Sequence, residues 1–226
     1  MIICAFDCSS QSCSAAVYQD GKILSSLYQN TGLTHSQTLL VKIERALADA
    51  GISIQEVDNL ALPVGPGSFT GIKIGAATAK GLAFAGNIPC IALSSLEAAA
   101  ANLYTGHVAA VMDARRNQFY AAFFHNQNGL PQRLMPDRQV SAQELASLLP
   151  PDTVITGDGA KLFCTLHPCF RPAPEHAQFI DAAKVAFLAA AGHGKTVDAL
   201  DLRPVYIRPP QAERERLEKL QKGALS

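Results

Sequence analysis

Both halves of the chain carry one order of secondary-structure signals: three strands, a helix, a strand, a glycine-rich turn and a second helix. This duplication limits the fold more than any other feature. In the first half, residues 2–7 form a short apolar run. Residues 12–18 and 22–28 follow, joined by Asp20-Gly21, a pair that tolerates the left-handed backbone of a hairpin turn. Thr34 and Gln37 have the spacing of a capping box ahead of a helix that stops at Gly51. Within that helix Leu39, Leu40, Ile43, Leu47 and Ala50 share one face, and Thr38, Lys42, Arg45 and Asp49 line the other. A strand is expected at about 59–64, then Gly-Pro-Gly-Ser-Phe-Thr-Gly at 65–71, a helix over roughly 70–85 and a strand from Ile88 to Ala92. Ser94 with Glu97 caps a connecting helix.

The second half repeats the order. His107 to Asp113 reads as a strand, Gln118 to His125 as its hairpin partner, and Asn128-Gly129 turns into a third strand. Ser141 with Glu144 caps a helix over about 141–149, Thr153 to Thr156 leads into Gly157-Asp158-Gly159, and 177–191 is a second alanine-rich helix. Without a gap, Asp7 falls over Asp113, Ala15-Ala16 over Ala121-Ala122 and Val17-Tyr18 over Phe123-Phe124. A single α/β domain with a strand-rich extension competes with this reading, but the shared element order favours duplication. Two βββαβα units facing each other make the α/β architecture of actin-like ATPases, a ribonuclease H-like fold. The lobes are expected at 1–104 and 105–208, with a polar tail at 209–226. In that architecture the hairpin loops approach nucleotide phosphates across a cleft, and acids ending the first strands hold the metal. Asp7 and Asp113 stand at those places, and Ser9, Gly157 and Gly159 complete the candidate cofactor cleft.

Composition excludes several classes. The chain has 19 basic and 19 acidic residues, so no global field draws it to phosphate backbones, and tRNA is expected to be reached only through a partner. Apolar runs are broken by Lys80, Asn87, Pro89 or Glu97, too soon for a membrane span, and the start Met-Ile-Ile-Cys-Ala-Phe-Asp lacks a basic leader. With 6 scattered cysteines, reduced thiols in the cytoplasm are expected. Cys164, His167 and Cys169 lack a fourth ligand, and an ordinary loop is expected there rather than a metal site.

The chemistry of turnover is poorly represented. The first hairpin loop, Asp-Cys-Ser-Ser-Gln-Ser-Cys, has no glycine for close phosphate approach, and the second, Asp-Ala-Arg-Arg-Asn-Gln, puts arginines in a tight turn. The glycine segment at 65–71 lacks the Lys-Ser/Thr pair of a Walker loop, and Ser68 and Thr70 fit a helix cap better than a nucleophile. Down the following helix run Gly71, Gly75, Ala79 and Leu82, while the far side has only Lys73 and Lys80 among Ala76, Ala77 and Phe84. A helix with so little polar surface is covered on both sides, one by its own sheet, the other by the preceding helix or another protein.

Gly-Pro-Gly-Ser-Phe-Thr-Gly-Ile-Lys-Ile-Gly at 65–75, Ala-Phe-Asp-Cys-Ser at 5–9, Met-Asp-Ala-Arg at 112–115 and Pro-Val-Tyr-Ile-Arg at 204–208 together resemble the TsaB (YeaZ-type) family of tRNA threonylcarbamoyladenosine biosynthesis proteins. The resemblance implies a role in modifying the adenosine beside the anticodon of tRNAs that read codons starting with A. It implies no catalytic residue in this chain, which would pair as a scaffold with the homologous enzyme TsaD. TsaE would dock on that pair, and the chain alone would form a homodimer. Catalytic relatives hold a metal with an H-x-x-x-H motif where this chain reads Ser95-Leu96-Glu97-Ala98-Ala99, so no metal is expected. No cofactor is required, and ATP or ADP at the interface of the complex stays open. The implied pairing surface consists of the helices at 34–50 and 70–85, with Leu39, Leu40, Ile43, Leu47, Lys73, Ala76, Ala77, Lys80 and Phe84. Three other readings compete: an ATPase or small-molecule kinase using the same cleft, a peptidase, and direct tRNA binding through Arg115-Arg116 and the basic residues of the tail.

Overall fold

The computed structural model describes residues 1–207, and the tail expected at 209–226 lies outside the described residues. The first half runs β1 (Ile2–Asp7), β2 (Cys13–Gln19), β3 (Lys22–Gln29), α1 (His35–Ala50), β4 (Asn59–Pro63), α2 (Phe69–Gly86), β5 (Cys90–Leu93) and α3 (Ser95–Ala100). The second runs β6 (Gly106–Asp113), β7 (Gln118–Gln127), β8 (Leu130–Ser141), α4 (Ala142–Leu148), β9 (Val154–Thr156), α5 (Ala160–Leu166), β10 (Arg171–Pro172), α6 (Ala182–Ala190) and β11 (Lys195–Val197). One sheet is ordered β5-β4-β1-β2-β3 and the other β10-β9-β6-β7-β8, the same order strand for strand. β11 extends the first sheet by pairing antiparallel with β5.

The ungapped superposition of the halves does not hold. Asp7 pairs with Ser14, while Asp113 pairs with Phe119, so no single offset superposes both strands of the hairpin; Ala15 and Ala121 both face outward and Ala16 and Ala122 both face inward, which leaves the slip in the first strands. Alternation along the strands shows the same error. Ile3 and Ala5 face the core between the sheets, whereas Ala109 and Val111 face the core under α4 and α5. A one-residue slip exchanges the faces of a strand, so Asp7 and Asp113 are not equivalent positions.

Three apolar layers result. Cys4, Phe6, Leu60 and Leu62 pack under α1 and α2; Val111, Phe119 and Ile155 pack under α4 and α5. Between the sheets lie α3 and α6, and each helix crosses to the other half's sheet: α6 rests on β1 and β2, and α3 on β6 and β7. Ala98, Ala99, Ala182 and Ala186 keep this layer thin, with Leu96, Phe124, Val185 and Leu188 filling it, all fully buried. The last helix begins at Ala182 rather than 177 because the Asp181 carboxylate accepts from Ala183 N at 2.9 Å and caps it there. Ser94 and Ser141 cap as expected. Thr34 holds the N-cap position of α1 without a side-chain hydrogen bond, so the capping box with Gln37 is absent.

Leu188→Ala removes a buried contact of the shared layer. It should cost about 2–5 kcal/mol and loosen both sheets together. Hydrogen exchange with increasing denaturant checks this, and protection lost in only one sheet would contradict it.

Candidate functional site

A cavity of about 520 Å³ opens between the halves, lined by Ser10 and Gln11 after β1, Gly67–Phe69 before α2, Met112–Arg115 at the end of β6, Tyr120, and Asp158. Its two acids are linked through the backbone. Asp158 Oδ1 accepts from Asp113 N at 3.3 Å, and Asp113 Oδ1 accepts from Arg115 N at 2.7 Å. The Arg115 guanidinium lies 3.7 Å from Asp113 Oδ2. At the hairpin tip Arg115, Arg116 and Asn117 hold φ of 69°, 57° and 56°, left-handed backbone that costs a non-glycine residue roughly 1–2 kcal/mol. Burial raises the Asp158 carboxyl above its ordinary value, and the neighbouring Asp113 charge adds to the rise.

The sequence-derived cleft residues divide. Asp113 lines the cavity, but Asp7 is 2% exposed and Ser9 is equally enclosed behind it. Asp7 Oδ1 accepts from Ser9 N at 3.0 Å and from Ser9 Oγ at 2.6 Å, while Oδ2 is buried without a partner. Desolvation pushes the Asp7 carboxyl up to about 7. Gly157 and Gly159 lie beneath the cavity and serve packing. A Cβ at Gly157, φ 96°, would sit 2.2 Å from Val111 O, and Gly159 N donates to Val111 O at 3.0 Å. Asp158, the side chain between them, is the cleft residue that sequence reasoning missed; its place between two glycines at the end of a strand was the available signal.

The glycine segment at 65–71 holds the first hairpin loop. A Cβ at Gly71 would lie 1.9 Å from Cys8 O, Ser68 N donates to Ser9 O at 2.8 Å, and Cys8 Sγ donates to Gly71 O at 3.2 Å. Val205 N donates to Val64 O at 2.8 Å, which lays Tyr206 5.3 Å from the Phe69 ring with Lys73 Nζ over its face. The segments 5–9, 65–75 and 204–208 thus meet in one contact, through their described residues.

The helix pair needs a correction. Leu39, Ile43, Leu47 and Ala76 are buried in the chain's own core beneath α1 and α2, so they cannot line a docking surface. The apolar face that periodicity marks is consumed by the sheet. Leu40, Lys73, Ala77 and Phe84 are exposed and Lys80 half-buried. Val41, which periodicity assigns to no face, is 61% exposed beside Leu40 at 45%, and Phe84 reaches 79%. On α3, Ser95 and Ala99 are fully buried, and Glu97 accepts from His193 Nδ1 at 3.1 Å. Cys164 is half-buried and Cys169 exposed; among the described residues no three His, Cys, Asp or Glu side chains gather to hold a metal. No helix among them is long and apolar enough to cross a membrane.

Fold and cleft together define a duplicated α/β protein of the actin-like, ribonuclease H-like class. The family model described as TsaD: tRNA N6-adenosine threonylcarbamoyltransferase matches residues 29–171. The tRNA threonylcarbamoyladenosine biosynthesis proteins TsaB of Bacillus subtilis and Haemophilus influenzae are 31% and 37% identical to the chain. These matches cover 66% and 53% of this chain and 66% and 52% of the relatives. The chain therefore aligns over about half to two thirds of their length. Two solved structures from Pseudomonas aeruginosa, one described as YeaZ and one as an uncharacterized protein with similarity to peptidase YEAZ, superpose with TM-scores of 0.78 and 0.80. Their identities are 28% and 30%, over 91% and 92% of this chain and 99% of each structure. The chain belongs to this family, on its TsaB (YeaZ-type) side.

Because Asp7 binds a proton more tightly in the folded than in the unfolded chain, its contribution to stability falls as pH rises from about 4 to 7. Asp7→Asn keeps an acceptor for Ser9 and should flatten that slope, leaving the variant more stable than the parent by about 1 kcal/mol or more above neutrality. Melting temperature against pH tests this, and parallel curves would refute it.

Proposed function

We propose that the chain is a non-catalytic subunit of the tRNA threonylcarbamoyladenosine machinery, which pairs with a TsaD-type transferase and supports it. The observation that carries the reading is the exposure of large apolar side chains on two helices that pack together, Leu40 and Val41 on α1 and Phe84 on α2, at 45%, 61% and 79%. Large side chains left in water at such fractions on one helix pair favour a partner that removes them. Family membership supports the choice of a homologous transferase as that partner. TsaE would dock on the assembled pair, and the same side chains would pair two copies of the chain when the transferase is absent. tRNA would be reached through the complex, in keeping with balanced charge.

Lack of catalysis is argued from α3. Where the transferases are expected to carry two imidazoles, this chain has the hydroxyl of Ser95 and the methyl of Ala99, both sealed in the interlobe layer. A second reading, a nucleotide-binding ATPase or kinase, draws on the cavity with Asp113 and Asp158. ATP hydrolysis that disappears in Asp113→Asn would favour it.

Leu40→Glu combined with Phe84→Glu should weaken binding to the TsaD-type partner by about 2 kcal/mol or more, roughly thirtyfold, with little change in melting temperature. Ala76→Glu is unsuited to this test, because it buries a charge in the chain's own core. Unchanged affinity in the double variant would overturn the assignment.

A further inference from the structure

At one end of the second sheet, metal-ligating side chains gather that the readings above do not use. His107 on β6 and His125 on β7 are direct cross-strand partners. Their ring centroids are 5.1 Å apart at an interplanar angle of 64°. The Asp152 carboxylate, in the turn before β9, accepts from His107 Nδ1 at 3.0 Å. That hydrogen bond keeps the proton on Nδ1, so the Nε2 lone pair is free to face another group. His107 is half-buried and His125 exposed, so both are accessible from solvent.

An imidazole oriented by a carboxylate, beside a second imidazole, suits a borderline divalent transition metal. The spacing agrees. With metal–nitrogen bonds of about 2.0–2.1 Å and a tetrahedral angle, two chelating imidazole rings have centroids about 5.2 Å apart. The two rings thus have the separation that chelation requires, on directly paired strands.

We propose that His107 and His125 form a two-imidazole site for a divalent transition metal such as Zn²⁺, with Asp152 orienting His107 and water filling the remaining positions. Since no third protein ligand stands with them among the described residues, the site is open and weaker than a closed structural zinc site.

The test is calorimetric titration of the full chain with Zn²⁺, in a Cys164→Ser, Cys169→Ser background that removes the two accessible thiols. One site per chain is expected. His107→Gln and His125→Gln should each abolish binding, and Asp152→Asn should weaken it about tenfold or more, with melting temperatures unchanged. Equal affinity in either histidine variant, or no heat up to about 1 mM Zn²⁺, overturns the proposal.

Discussion

The exchange of α3 and α6 between the two sheets is the constraint on which the rest of the structure depends. Each half ends in a helix that buries its apolar surface on the other half's sheet, so neither half completes its core alone. The exchanged helices are short and rich in alanine, and a bulkier layer would push the sheets apart and widen the cavity between them. The width of the cleft, the distance between the hairpin loops and the placement of Asp113 opposite the glycine segment follow from this shared layer.

The same arrangement separates two kinds of surface. Inward, the acids of the first strands meet very different conditions: Asp7 is shut behind its own serine turn, while Asp113 stays at the cavity wall. Such asymmetry fits poorly with a symmetrical phosphate clamp, which needs both loops to present free N–H groups to the ligand. Outward, α1 and α2 use most of their apolar residues on the sheet and still leave Leu40, Val41 and Phe84 in water. The surplus is therefore on the outside of the first half, away from the cleft.

Much of this was readable from the residues. Duplication, the order of elements along the chain and the limits of α1 and α2 follow from periodicity, glycine stops and polar caps, signals that act over a few residues. The register of the first strands was not readable, because Asp7 and Asp113 fall at one offset in sequence while Ile3 and Ala5 face inward and Ala109 and Val111 outward. The short elements α5, β10 and β11 gave no periodic signal, and β11 forms only by pairing with a strand about a hundred residues earlier. Periodicity marked Leu39, Ile43 and Leu47 as one face but could not say whether sheet or partner covers it. His107, His125 and Asp152 lie far apart along the chain, and only the hairpin register and the turn before β9 bring them together.

The contact among the segments at 5–9, 65–75 and 204–208 bears on how such proteins are recognised. These stretches hold one another by backbone proximity, a thiol and an aromatic pair, contacts that maintain shape, and Gly67, Ser68 and Phe69 among them also line the cavity. A signature drawn from them records ancestry in the scaffold. Proteins that differ in chemistry can display it equally, because the shape it maintains is common to the fold.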